Sequence, residues 1–168
     1  YRIITSIVYL IIFLLTIGTA YAANYLQPKS VIFRSADEKL QMARDAKADI
    51  LVPETFEDGL KYYQEAEEMY QNKEELDEMK KYITRSRQYF EKAIKDSKIA
   101  GLLFTETMVA REDTLKVSGD QLDPENWEKA ESTFRDAAEQ LEGGDSDDAK
   151  SIGKDAEILY RKAELKAI

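Results

Sequence analysis

The chain has 168 residues, a formal net charge of −9 at pH 7, and neither histidine nor cysteine. The acidic balance argues against nucleic acid and anionic lipid headgroups as partners, because both are negatively charged. Without imidazole or thiol groups, histidine-based triads, disulfides, iron–sulfur clusters and most zinc, haem and copper sites are excluded. No glycine-rich phosphate loop or nucleophile elbow is present. We therefore expect no enzyme activity, metal, cofactor, small-molecule substrate or nucleic-acid partner.

The chain begins with an apolar segment that no charge interrupts between Arg2 and Lys29. Residues 3–27 are long enough to cross a bilayer core about 30 Å thick, since a spanning helix needs about 20 mostly apolar residues. We assign residues 1–28 as a transmembrane anchor that contacts the bilayer through residues 3–27. Residues 29–168 form the domain that this anchor carries.

A cleavable signal peptide is the alternative interpretation of the same segment. Ala20-Tyr21-Ala22 has the small-residue pattern of a signal-peptidase site behind an apolar region. The uncharged run is longer than the apolar region usual for a signal peptide, which favours a retained anchor. Cleavage would leave an exported soluble helical domain, so both interpretations place the acidic domain outside the cytoplasm.

The first helices of the domain are predicted from capping and spacing. Ser35 and Glu38 have the spacing of a capping box, which predicts a helix from there to about Asp49. Pro53 suits a first helical position, and Leu51 and Phe56 then stand at the positions of a hydrophobic staple. This second helix should end at 71–73.

A long third helix is predicted from a heptad stripe. The stripe consists of Leu76, Ile83, Phe90, Ser97 and Phe104. It predicts one helix to about Val117, with a possible kink at Gly101. Residues 99–104 are apolar over a wide arc, so we expect them to be buried on several sides, with a partner surface as the alternative.

The second half repeats the same devices. Asp123 is expected to cap a helix that starts at Pro124, and Leu122 and Trp127 to form a second staple. Gly143 and Gly144 break this helix. Asp145 or Ser146 is expected to cap a last helix, whose inner face is made of Ala149, Ile152, Ala156, Tyr160 and Ala163.

The two halves align as a repeat. The aligned pairs are Pro53 with Pro124, Phe56 with Trp127, Tyr63 with Phe134, Tyr89 with Leu159 and Phe90 with Tyr160. A unit of about 70 residues that occurs twice is typical of helical repeats, whose units bury their faces against neighbours. We predict an all-α fold: one N-terminal transmembrane helix followed by a bundle of about five helices in two hairpin units, about 36–100 and 107–168. Phe56 and Trp127 should both be largely buried.

The unit resembles tetratricopeptide-type helical hairpins and, more closely, bacterial envelope proteins, among them lipoproteins and the N-terminal parts of OmpA-type proteins. The shared pattern is an alanine-rich helix leading into Pro-x-x-[Phe/Tyr]-x-x-Ala, which appears here as the segments 53–59 and 124–130. The chain departs from that group because it has no lipid-modified cysteine and no peptidoglycan-binding domain. The resemblance implies an envelope scaffold or adaptor role. Together with the export-like apolar segment, it leads us to expect a single-pass protein of a bacterial inner membrane whose C-terminal domain lies in the periplasm or outside the cell.

Aromatic and basic side chains supply the candidate partner-binding residues. An aromatic set at helical spacing consists of Tyr62, Tyr63, Tyr70, Tyr82 and Tyr89. Core packing is the default interpretation of this set, and a peptide groove between helices is the alternative. A basic strip of Lys80, Lys81, Arg85, Arg87 and Lys92 either pairs with neighbouring acids or docks a partner. The residues assigned to partner binding are Tyr62, Tyr70, Tyr82, Tyr89 and Arg85.

Three functions are compatible with these patterns. The first is a non-catalytic, membrane-anchored scaffold or adaptor that holds a protein partner in or at the membrane. The second is an accessory structural subunit of a larger membrane complex, and the third is an exported soluble domain after signal cleavage. The acidic clusters, including Asp145, Asp147 and Asp148, are interpreted as solvated helix faces and helix starts rather than metal sites.

Overall fold

The computed structural model describes residues 28–168, and every regular element among them is an α-helix. The predicted anchor, apart from Pro28, lies outside the described residues. Within residues 28–168, no helix is both long and apolar enough to cross a membrane. The described part of the chain is therefore all-α, as the periodicity predicts.

Nine helices follow one another along the described residues: α1 Lys29–Ile32, α2 Arg34–Asp45, α3 Ala48–Leu51, α4 Pro53–Gln71, α5 Leu76–Leu103, α6 Thr105–Lys116, α7 Gly119–Leu122, α8 Pro124–Glu142 and α9 Ser146–Ala167. The prediction of about five helices is too low. The extra helices arise because the chain turns sharply at positions that the apolar spacing does not mark.

Phe104 breaks the long helix that the heptad stripe predicts as continuous. Its backbone has φ −100° and ψ 22°, and α6 begins at the next residue. The ring is buried against the ring of Phe134, with centroids 5.2 Å apart. A Cβ added at Gly153 would lie 2.9 Å from this ring, so only glycine leaves room for it. Tertiary packing of one side chain, rather than Gly101, therefore sets the break.

The capping box predicted at Ser35 is wrong. Helix α2 begins at Arg34, directly after the buried Phe33, and no side chain caps it. It also ends at Asp45 rather than near Asp49, because Lys47 takes a left-handed conformation with φ 56°. Short helix α3 then leads into α4, with Pro53 in the first turn.

The two halves of the domain repeat the same order of helices. α2 and α6 have 12 residues each, and α4 and α8 have 19 residues each. The left-handed residue before the short helix recurs as well, at Lys47 with φ 56° and at Ser118 with φ 58°. We call residues 34–103 unit 1 and residues 105–167 unit 2. Each unit ends in a longer helix, α5 or α9.

Each unit is a hairpin with a third helix against it. α4 packs on α5 and α8 on α9, while α2 lies against α5 and α6 against α9. Phe56, Phe90, Phe104, Phe134 and Tyr160 belong to one core cluster that runs through both units. A smaller cluster surrounds Phe33 at the start of unit 1.

The two predicted staples have different outcomes. Leu51 and Phe56 are 4% and 5% exposed, so both side chains of the first staple are buried as predicted. In the second staple Leu122 is 58% exposed and Trp127 is only partly buried, so the prediction that Trp127 is largely buried is wrong. Asp123 is buried but does not cap α8. Its carboxylate accepts hydrogen bonds from the side chains of Asn126 and Lys166 instead.

The apolar segment at the end of α5 is not buried on several sides. Ala100 and Phe104 are buried, but Ile99 is 61% exposed and Leu102 is 80% exposed. The prediction for residues 99–104 is therefore wrong for one side of the helix. The alternative interpretation, a partner surface, stays open for Ile99 and Leu102.

Candidate functional site

Three tyrosines and one arginine form a cluster on the α4–α5 hairpin. Tyr62 of α4 stacks on Tyr89 of α5, with ring centroids 5.4 Å apart and an interplanar angle of 21°. The ring centroid of Tyr82 is 6.1 Å from that of Tyr62, and the two rings are tilted by 51°. The guanidinium carbon of Arg85 is 5.5 Å from the centre of the Tyr62 ring. We call Tyr62, Tyr82, Arg85 and Tyr89 the tyrosine face.

Helical spacing explains why these side chains meet. Tyr82, Arg85 and Tyr89 are three and four residues apart on α5, so they share one side of that helix. Tyr62 reaches them from α4, which is packed along α5. The sequence prediction therefore named four residues that the fold brings together.

The tyrosine face lies at the surface rather than in the core. The three tyrosines are half-buried and Arg85 is exposed. Tyr62 and Tyr89 belong to neither of the core clusters, and Tyr82 only borders the smaller one. Core packing, the default interpretation of this aromatic set, does not describe Tyr62 and Tyr89.

Tyr70 and Tyr63 lie elsewhere, around Phe33. The Tyr70 ring is edge-on to Phe33 at 6.1 Å, and Tyr70 lines a cleft of about 560 Å³ together with Ile32 and Met79. The hydroxyl of Tyr63 donates to Asp37 at 2.6 Å. Burial and this carboxylate raise the pKa of Tyr63 above its ordinary value. Tyr70 thus packs on Phe33 at the smaller core cluster, which Tyr82 also borders.

The basic strip is mostly paired. Lys80, Lys81 and Lys92 form ion pairs with Asp77, Glu78 and Asp96, all on their own helix. Arg85 makes no ion pair with any described residue, and its guanidinium lies over the Tyr62 ring. Arg87 is half-buried, and its Nε has no hydrogen-bond partner. The docking interpretation therefore narrows to Arg85, because its guanidinium is both exposed and without an anionic partner.

Unit 2 has no tyrosine face. The positions that correspond to Tyr62, Tyr82, Arg85 and Tyr89 are Thr133, Ile152, Asp155 and Leu159. Since unit 2 forms the same hairpin without these side chains, the hairpin itself does not require them. The tyrosine face is therefore an addition to unit 1.

Unit 2 has a polar cluster of its own, which the sequence analysis missed. Arg111 donates to both carboxylate oxygens of Glu131, at 2.7 and 3.1 Å. Tyr160 donates to the same carboxylate at 2.6 Å. The guanidinium of Arg111 also lies 5.3 Å from the centre of the Trp127 ring. We call Arg111, Glu131 and Tyr160 the polar triad.

The polar triad replaces an apolar trio. The corresponding residues of unit 1 are Leu40, Leu60 and Phe90. Burial alone would lower the pKa of Arg111, but Glu131 outweighs it and the net change is a rise. Burial and the acceptor on Glu131 raise the pKa of Tyr160. Both changes favour a charged Arg111 and a neutral Tyr160 around neutral pH.

The two units meet through charged side chains. Both carboxylate oxygens of Glu142 accept backbone N–H groups at the start of α4, those of Glu54 and Thr55, each at 2.9 Å. Arg135 pairs with Glu57 at 3.0 Å, and Lys47 pairs with Glu112. A cleft of about 270 Å³ lies at this junction.

Asp145 caps α9, as predicted, by accepting the backbone N–H of Asp148 at 3.1 Å. No group of three or more acidic side chains within residues 28–168 is placed to hold a metal ion.

No protein-family model matches the sequence, and no curated protein or solved structure is significantly similar to it. The resemblance to envelope helical-hairpin proteins stays a prediction, and function is inferred from geometry.

Proposed function

We propose that this protein is a non-catalytic scaffold or adaptor that holds a protein partner at a membrane, and that the partner binds the tyrosine face of unit 1. The observation that carries the proposal is the half-buried surface cluster of Tyr62, Tyr82 and Tyr89 beside the exposed Arg85. Tyrosine and arginine are enriched among the residues that dominate binding energy at protein interfaces. The corresponding positions of unit 2 carry neither tyrosine nor arginine.

The chemistry of the face indicates what it binds. Stacked tyrosine rings offer rigid apolar surface at a low cost in conformational entropy. Arg85 holds its guanidinium over the Tyr62 ring, without an anionic partner among the described residues. The complementary ligand is a protein segment with apolar side chains next to a carboxylate, which forms charge-assisted hydrogen bonds with Arg85.

The membrane attachment is proposed from the sequence. Residues 3–27 form an uncharged segment of spanning length, and α1 of the described domain begins at Lys29 directly behind it. In this proposal the anchor crosses a bacterial inner membrane once and the acidic domain stands in the periplasm or outside the cell. Protease added to intact spheroplasts then digests the domain, whereas full protection contradicts this orientation.

A charge reversal at Arg85 tests the proposed function. Arg85 is exposed and unpaired, so Arg85→Glu should leave the melting temperature within about 2 °C of wild type, as surface changes usually do. The same change should remove the partner that co-purifies with the full chain from native membranes in mild detergent. Asp155→Lys reverses the charge at the corresponding position of unit 2 and is the matched control. Loss of the partner in both variants, or in neither, contradicts the assignment.

An accessory subunit of a larger membrane complex is the second candidate function. It is favoured by Ile99 and Leu102, which expose 61% and 80% of their surfaces at the end of α5. Such side chains are expected to pack against a neighbouring subunit. Ile99→Glu with Leu102→Glu should then release the protein from that complex, whereas Arg85→Glu should not. This pair of variants separates the two functions.

A further inference from the structure

The end of α5 exposes an apolar side that leads into a cleft of unit 2. Ile99 is 61% exposed and Leu102 is 80% exposed. Ile99 lies three residues before Leu102 and four before the half-buried Leu103, so the three side chains share one side of the helix. Leu103 in turn lines a cleft of about 540 Å³ between the start of α6 and α9. Exposed apolar side chains that continue into a cleft are typical of an interaction surface.

Charged side chains line the rest of this cleft, which we call the acidic groove. They are four acids and two lysines: Glu106, Asp147, Asp155 and Glu157, with Lys150 and Lys154. Lys154 pairs with Glu157 at 2.8 Å. The other three carboxylates form no ion pair with any described residue, and a single lysine is left to balance them. The groove therefore presents unpaired negative charge beside the apolar side of α5.

The acidic character of the groove is particular to unit 2. Where unit 2 has Asp155 and Glu157, unit 1 has Arg85 and Arg87 at the corresponding positions. Both pairs stand on the last helix of their unit, so the repeated fold does not require acids there. The acids of the groove are therefore a local feature and not merely part of the overall negative charge of the chain.

We propose that the acidic groove and the apolar side of α5 together dock a basic amphipathic helix of a neighbouring subunit. Apolar side chains of that helix pack on Ile99 and Leu102, and its lysine or arginine side chains reach Glu106 and Asp147. A helix suits the site because its apolar residues recur every three or four positions with charged residues beside them. The inference rests on the second candidate function, an accessory subunit, and specifies the chemistry of the subunit it contacts.

Charge argues against three other occupants of the same surface. A bilayer with anionic lipid headgroups is repelled by the unpaired carboxylates. The chain's own residues 3–27 carry no charge, so they bring no cation to the groove. A second copy that packs the same surface against this one brings a second set of acids, because a two-fold interface pairs like with like.

Photo-crosslinking from position 102 tests the proposal. A photoreactive phenylalanine replaces Leu102 in the full chain, and in a control variant it replaces Leu165, which is 75% exposed near the end of α9. In native membranes we expect an adduct from position 102 and none from position 165. Mass spectrometry of the digested adduct should place the crosslink in a partner segment with apolar residues at helical spacing and more lysine and arginine than acid.

Two pairs of charge changes test the acidic side of the surface. Glu106→Gln with Asp147→Asn removes two exposed, unpaired carboxylates of the groove and should lower the yield of the adduct about fivefold, because the partner cations lose their acceptors. Glu128→Gln with Asp136→Asn removes two exposed acids of α8 outside the groove and should leave the yield unchanged. The two double variants have the same net charge.

The outcomes separate this inference from the function on which it rests. A partner segment without an excess of lysine and arginine, or a yield that the groove variant does not lower, overturns the basic helix and leaves the accessory-subunit function standing. An adduct with lipid, with residues 3–27 or with a second copy overturns the choice of occupant. No adduct at position 102, or the same adduct at position 165, overturns the proposal. Retention of the complex by Ile99→Glu with Leu102→Glu contradicts the second candidate function as well.

Discussion

At the scale of single residues, the polar triad shows that the same arrangement of helices accommodates either polar or apolar side chains at corresponding positions. Arg111, Glu131 and Tyr160 of unit 2 stand where unit 1 has Leu40, Leu60 and Phe90. The helices around both sets have the same order. A buried ion pair seldom adds stability over an apolar set of similar volume, because desolvation of the charges offsets their attraction. The triad should therefore be replaceable as a set but not piece by piece.

We predict opposite outcomes for one substitution and for three. Arg111→Leu alone leaves the Glu131 carboxylate, which is 35% exposed, without its cation and should cost about 1–3 kcal/mol. Arg111→Leu with Glu131→Leu and Tyr160→Phe copies the trio of unit 1 and should unfold within about 1 kcal/mol of wild type. Urea unfolding at pH 7 measures both. A triple variant that is less stable than the single one contradicts this account.

A second residue-scale prediction concerns Asp123 and pH. Hydrogen bonds from the side chains of Asn126 and Lys166 lower the pKa of Asp123 below its ordinary value. A lowered pKa in the folded state means that the ionised carboxylate stabilises the fold above the unfolded-state pKa, near about 3.9. This contribution is lost as the pH falls through the folded-state value.

Asp123→Asn should accordingly be less stable than wild type at pH 7. The two proteins should converge as the pH falls through the lowered folded-state pKa of Asp123, because the carboxyl group is then uncharged in both the folded and the unfolded state. Thermal melts across this range decide the matter. A stability difference that does not change with pH would mean that the charge of Asp123 has no part in holding α8 to α9.

At the scale of helices, Glu142 joins the two units by capping α4 from α8. Removing the carboxylate in Glu142→Ala should cost about 0.5–2 kcal/mol, the range for loss of an N-terminal cap. The amides of Glu54 and Thr55 should exchange faster in this variant. Glu139→Ala, one turn earlier on α8, is the control and should change neither quantity. If Glu142→Ala and Glu139→Ala had equal effects, the carboxylate of Glu142 would not be the group that caps α4.

Sequence patterns predict the helices that local chemistry determines. The starts of α4 and α9 follow from Pro53 and Asp145, whose effects are confined to the first helical turn. The break at Phe104 and the start of α2 after Phe33 depend on rings buried against distant helices. No pattern within a short window of sequence carries that information, so these boundaries were missed.

The same distinction applies to the candidate site. Tyr82, Arg85 and Tyr89 could be grouped from the sequence because they follow the spacing of one helix. Tyr70 was grouped with them by the same spacing, but it packs against Phe33 from the smaller core cluster. The polar triad spans α6, α8 and α9. Only a comparison of Leu40, Leu60 and Phe90 with their counterparts would have revealed it.

At the scale of the whole molecule, two stacked units make a body with separate surfaces. Unit 1 carries the tyrosine face, and unit 2 carries the polar triad. Helical-repeat proteins use such extended surfaces to bind partners, and the interfaces between neighbouring units contribute to the stability of the whole domain. In the proposed function, unit 1 binds its partner through the tyrosine face, and unit 2 supports unit 1 from the other side of the unit junction.

Site-directed photo-crosslinking tests the central claim most directly, namely that the tyrosine face binds a partner. A photoreactive phenylalanine replaces Tyr89 in the full chain, and in a second variant it replaces Leu159. Both positions are half-buried and correspond to each other in the two units. In native membranes we predict one adduct of defined mass from position 89, lost when Arg85→Glu is added, and none from position 159. No adduct at position 89, or the same adduct at both positions, would contradict the account.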